Sequence, residues 1–146
     1  MLKYLSFGIA GAVASLGGLC LYKHFFKCKK PPIHRLYTSQ DPNYSSIVIH
    51  KGIVYLSAIQ SGYGDIEQQT ISVLENIESL LTEAGSNWSN ILEARIHLRN
   101  IERNFYTVMA LWNGWIDPNN KGTMSCTESR FFDPNILVQI QVIASN

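Results

Sequence analysis

DIEQQTISVLENIESLLTEAG, residues 65–85, followed by ILEARIHLR, residues 91–99, contains the change of hydrophobic period that decides the fold. Thr70, Val73, Leu74, Ile77, Leu80, Leu81 and Ala84 recur at helical spacing, so the first stretch is a helix with one apolar face that needs a partner surface. Asp65 with Gln68 three residues on reads as a capping box, and Gly85 supplies the stop. In the second stretch Leu92, Ala94, Ile96 and Leu98 alternate with Glu93, Arg95, His97 and Arg99, as in a strand with one buried and one wet face. That pattern makes His97 a solvated or cross-strand residue rather than a ligand. A helix feeding such a strand in a short chain predicts an α+β domain, with helix packed on sheet.

The flanking segments extend this pattern. Upstream, Ile47–His50 and Ile53–Leu56 are β-branched runs separated by Lys51-Gly52, which predicts a hairpin. Downstream, a second helix is predicted from Ile101 or Asn104 to Ile116, burying Val108, Leu111, Trp112 and Trp115, with Asp117-Pro118-Asn119-Asn120 ending it. Thr123–Arg130 and Ile136–Ala144 alternate again. The expected order is ββαβαββ, with room for extra strands near the start.

The whole chain, 146 residues with 46% hydrophobic and 16% charged side chains, has the composition of one globular domain. Its net charge of +1 hides an asymmetry: residues 1–30 carry five lysines and no acid, leaving 7 basic and 11 acidic side chains, a net of −4, on residues 31–146. Such a domain is a poor electrostatic match for nucleic acid. Cys20, Cys28 and Cys126 have no paired spacing and no histidine at metal-ligand intervals, so neither a disulfide framework nor a metal site is expected. Cys28 is read as a free thiol, with palmitoylation as the alternative. The sequons at Asn43 and Asn87 are read as chance matches, because they matter only in a secreted protein.

Tyr4–Tyr22 is uncharged over 19 positions, a helix of roughly 28 Å, which is close to the hydrocarbon thickness of a bilayer. One lysine precedes this run and Lys23, Lys27, Lys29 and Lys30 follow it, opposite to the charge order of a secretory signal peptide. Residues 1–30 are therefore expected to form a single-pass transmembrane anchor with a basic flank, residues 31–40 a linker begun by Pro31-Pro32, and residues 41–146 the domain. The positive-inside rule puts the domain on the cytosolic or matrix side. Small residues at four-residue spacing (Gly8/Ala12, Gly11/Ser15, Ala10/Ala14/Gly18) suit packing against other helices, and an isolated anchor with incidental glycines is the alternative.

The order of elements, together with Gly52–Ser57, Asp65–Thr70, Leu74–Ile77, Ala84-Gly85-Ser86 and Ile140–Ala144, resembles the reactive-intermediate deaminase family, also called YjgF or endoribonuclease L-PSP-like, over nearly all of residues 40–144. The resemblance implies a chorismate-mutase-like fold assembled as a ring of three, with sites in the clefts between subunits. It further implies hydrolysis of enamines and imines without a cofactor. That chemistry uses a guanidinium to clamp the substrate carboxylate and a carboxylate to orient water.

Both groups are replaced here. Where the family has its arginine, before a Ser-Cys pair, the chain has Met124; where it has its glutamate, in the last strand, the chain has Gln139, which has no basic oxygen to take a proton from water. An asparagine of the family's second helix matches Met109, the glycine of its Ser-Gly-Gln matches Ala58, and the loop Ile59–Gly64 looks shortened. Tyr44 and Cys126 match the family's N-terminal tyrosine and its cleft cysteine. Lys121, three residues before Met124, is read as a solvated loop lysine, with entry into the cleft as the alternative.

The expected function is that of a non-catalytic, membrane-anchored accessory subunit that meets other protein chains through its N-terminal helix and in a homo- or heterotrimer. The best-fitting membrane, by analogy with relatives that work in mitochondria, is the mitochondrial inner membrane. The alternative is an enamine or imine deaminase, or a small-metabolite-binding protein, with an altered inter-subunit cleft. A ribonuclease ranks below both, since no basic surface or acid–base pair supports it.

Overall fold

The computed structural model describes residues 30–146. Strands β1 (Ile33–Leu36), β2 (Ile47–His50), β3 (Ile53–Leu56) and β4 (Ile59–Gln60) precede helix α1 (Ile66–Glu83); β5 (Ile91–Leu98), helix α2 (Ile101–Trp115), β6 (Thr123–Glu128) and β7 (Val138–Ser145) follow. The strands form one sheet in the order β1-β2-β3-β7-β5-β6, with the short β4 also paired to β7. All pairings are antiparallel except β5 with β6, which run parallel because α2 crosses between them. Both helices cover one face of this sheet, where Val73, Ile77, Leu81, Val108 and Trp112 meet Val54, Leu56, Ala94, Ile96, Val138, Ile140 and Val142 in a common core. This is the expected α+β architecture.

The hairpin forms as predicted, with Lys51 and Gly52 both at positive φ (53° and 75°), the pairing that a two-residue type I′ turn requires. The capping box of α1 is complete: the Asp65 carboxylate accepts from the Gln68 amide at 3.0 Å, and the Gln68 side chain accepts from the Asp65 amide at 3.1 Å. At the other end Gly85 takes φ 76°, and the amides of Gly85 and Ser86 return to Thr82 and Leu81, a Schellman closure.

Three details differ from the sequence reading. The segment expected to be a linker, residues 31–40, contains β1, paired to β2 through Leu36 opposite Ile47 and Ile33 opposite His50. Leu92 is exposed instead of buried, because a bulge between Ile91 and Glu93 shifts the register and turns Ile91 inward in its place. The shortened loop Ile59–Gly64 begins with the strand β4, in which Ile59 and Gln60 face Ile140 and Gln139. Among the described residues no helix is long and apolar enough to cross a membrane. The expected membrane helix, Tyr4–Tyr22, lies outside the described residues.

A buried side chain ties the two halves of the chain. Gln69 is fully buried on α1; its Nε2 donates to the carbonyls of Gly64 (3.1 Å) and Asn135 (2.8 Å), while its Oε1 accepts from the Leu137 amide at 2.9 Å. A leucine there leaves three backbone groups unpaired in the interior. We expect Gln69→Leu to lower the unfolding free energy by roughly 2–4 kcal/mol, read as a shift of the urea midpoint by circular dichroism. An unchanged midpoint would show that the clamp carries no stability.

Candidate functional site

The parallel edge fixes where the family's site positions fall. In the β5–β6 register Met124 stands opposite Ala94 and Cys126 opposite Ile96, so both lie on the helix-covered side of the sheet. Helix α2 brings Met109 and Trp112 to the same place, and with Asn113, Lys121 and Met124 they line a cavity of about 190 Å3. Met124 remains 44% exposed because β6 is an edge strand. Cys126 packs partly against the core, and its burial pushes the thiol above its usual range.

Lys121 reaches this cavity because the turn before β6 is tightly held. The Asp117 carboxylate accepts from the Ser89 hydroxyl at 2.7 Å, the Asn119 amide at 2.9 Å and the Asn120 side chain at 2.8 Å. These bonds, the Asn120 amide foremost, hold its carboxyl below the usual carboxylate range. The lysine read as a solvated loop residue is exposed and also forms part of the cavity wall.

The other positions lie elsewhere. Gln139 is opposite His97 on β5, on the sheet face away from Met124, and its Nε2 donates to Gln60 Oε1 at 2.8 Å. Tyr44 and Ala58 line a hollow of about 320 Å3 together with Gln60, Asn76 and Ser79. The six expected residues thus form two groups within one chain: Met109, Met124 and Cys126 beside α2, and Tyr44, Ala58 and Gln139 around Gln60. His97 is a cross-strand residue, its Nδ1 at 2.9 Å from Thr127 Oγ1. Among the described residues no cluster of histidine, cysteine or acidic side chains is suited to hold a metal ion.

Neither group has a general base or a paired cation. The first offers two thioethers, a thiol, an amide and one lysine ammonium. The second offers a phenol and carboxamides, which donate and accept hydrogen bonds but do not take a proton near neutral pH. Arg99 is a residue whose role the sequence reading missed. Read as part of the wet face of β5, it instead donates through Nε to the Ile136 carbonyl (2.8 Å) and through Nη2 to the Asp133 (2.8 Å) and Phe131 (3.3 Å) carbonyls, bracing the loop before β7.

Residues 38–146 match the family model described as endoribonuclease L-PSP. A RutC family protein of Haemophilus ducreyi is 32% identical over 105 residues, covering 70% of this chain and 88% of that protein. The RutC family protein YoaB of Escherichia coli is 26% identical over 106 residues, covering 72% and 92%. A YjgF-family structure from Neisseria meningitidis superposes with a TM-score of 0.76 at 28% identity, over 81% of this chain and 98% of that one.

A raised thiol pKa means that Cys126 stays protonated to higher pH than a free cysteine, which slows its alkylation. At pH 8 iodoacetamide should therefore label Cys126 more slowly than an unstructured cysteine peptide, as followed by mass spectrometry of its tryptic fragment, and the rate should keep rising at pH values where the peptide's has levelled. Labelling as fast as the peptide's would contradict the partial burial of Cys126 against the core.

Proposed function

The chain belongs to the endoribonuclease L-PSP family, the YjgF or RutC proteins, and on that premise we propose that it is a non-catalytic accessory subunit, anchored in a membrane and retained for assembly. The observation that carries this reading is the chemistry at the two decisive positions. Met124 has no charge to bind a carboxylate, and Gln139 has no basic oxygen to take a proton from water, while its Nε2 donates to Gln60. Filling a vacated polar cleft is a role that methionine's flexible thioether suits.

The division of the cleft residues supports a ring of three. Each group is half a site, and in the ring that the family resemblance implies, the Met124 group of one chain faces the Tyr44 group of the next. Closing a ring buries surface symmetrically, so selection on contact can maintain the core after the catalytic pair has gone. The uncharged run Tyr4–Tyr22 with its lysine flank supports the anchor, with the domain on the cytosolic or matrix side. The mitochondrial inner membrane remains the preferred location, on family analogy alone.

Lys121 favours a second reading. Its ammonium borders the same cavity as Met124, which gives the site one cation for a small acidic metabolite. On this alternative the protein binds, or slowly deaminates, a ligand that differs from the family's.

Two measurements separate these readings. The full-length protein in mild detergent should hydrolyse 2-iminopropanoate no faster than buffer; saturable turnover, abolished by Lys121→Ala, would establish the alternative. Carbonate extraction should leave the full chain in the membrane pellet and release a chain lacking residues 1–30. Recovery of the intact protein in the supernatant would remove the anchor from the account.

A further inference from the structure

The carboxyl ends of the two parallel strands form a second candidate site, remote from the Met124 cavity. In an open α/β sheet the crevice outside the carboxyl ends of parallel strands, where helices begin, is a general place for ligands. Here β5, α2 and β6 make one such unit, and α1 begins at the same crevice: the caps of both helices, Asp65 and Asn100, line a single cavity of about 360 Å3 with Arg99, Arg103 and Asn104. Arg99 also borders an adjoining hollow of about 460 Å3 beside Glu128 and Arg130, at the end of β6. Three of the seven basic side chains of residues 31–146 thus gather in a domain that is acidic as a whole. Two helix N-termini add their positive ends.

The cavity wall also carries an amide without a protein partner. Asn104, 5% exposed, lines the cavity; its carboxamide makes no hydrogen bond among the described residues and keeps some access to solvent. The guanidinium groups of Arg103 and Arg130 make no hydrogen bond among the described residues either, and Arg99 keeps Nη1 free. The two acids beside them are already committed to helix starts: Asp65 Oδ1 accepts from the Gln68 amide and Glu128 Oε2 from the Ile101 amide, each at 3.0 Å.

We propose that this crevice binds a small oxyanion, the carboxylate or phosphate group of a metabolite. Arginine supplies forked N–H donors matched to either group, and the Asn104 amide adds a neutral donor at the floor. The site is independent of Met124 and Gln139 and stands whether or not the family's cleft is catalytic.

Isothermal titration of the full-length protein in mild detergent, at constant ionic strength, with inorganic phosphate and separately with acetate, tests the proposal. A saturable heat with at least one anion is expected, and the anion that gives it identifies the group recognised. Arg103→Ala should weaken binding about tenfold, the size of one charge-assisted hydrogen bond. Asn104→Asp, nearly isosteric but adding like charge, should weaken it further, whereas Arg35→Ala, the same charge change on the distant strand β1, should leave it unchanged. The absence of saturable heat with either anion would overturn the proposal, as would equal losses in Arg103→Ala and Arg35→Ala, since that would reflect net charge alone.

Discussion

The buried carboxamide of Gln69 is the contact on which the sheet depends. Strand β7 pairs with β3, β4 and β5, so its register fixes that of every strand around it. That register is set one residue before β7 begins, where the Leu137 amide is held by Gln69 Oε1 and the Asn135 carbonyl by Gln69 Nε2. Arg99 holds the same loop through the Ile136, Asp133 and Phe131 carbonyls. A one-residue slip here would move Val138, Ile140, Val142 and Ala144 from the core to the open face of the sheet. Two polar side chains therefore place a mostly apolar core.

The same register separates the cleft residues. Because side chains alternate along a strand, Gln139 points away from the layer that holds Val138 and Ile140, while the parallel pairing of β6 turns Met124 and Cys126 toward that layer. Within one chain Met124 and Gln139 therefore lie on opposite faces of the sheet. The fold thus holds two separate groups of cleft residues in each chain.

Much of this was legible in the chain because local rules agreed with the tertiary structure. The capping box at Asp65, the Lys51-Gly52 turn and the closure at Gly85 each form as their residue types demand. The misreadings came from long-range pairing. Ile33–Leu36 is too short and too exposed to announce itself as a strand until β2 lies beside it, and the bulge that exposes Leu92 arises from the fit of β5 to β7. Gln69 does sit on the apolar stripe, four residues before Val73, and a glutamine there is itself a signal that backbone groups arrive from elsewhere; their origin in residues 135 and 137 cannot be read from the helix alone. Lys121 is exposed, as a loop lysine is expected to be, and its place beside the cavity depends on the turn around Asp117, which the sequence does not show. The positions of Met124 and Gln139 follow from family resemblance, whereas their separation onto opposite faces required the sheet.

The central claim is that the domain is kept for contact with other chains, and native mass spectrometry of the protein released from membranes in mild detergent addresses it most directly. The account predicts an assembly containing three chains of this fold, alike or different, held with further subunits. A stable monomer at the concentrations where the protein is extracted would contradict it.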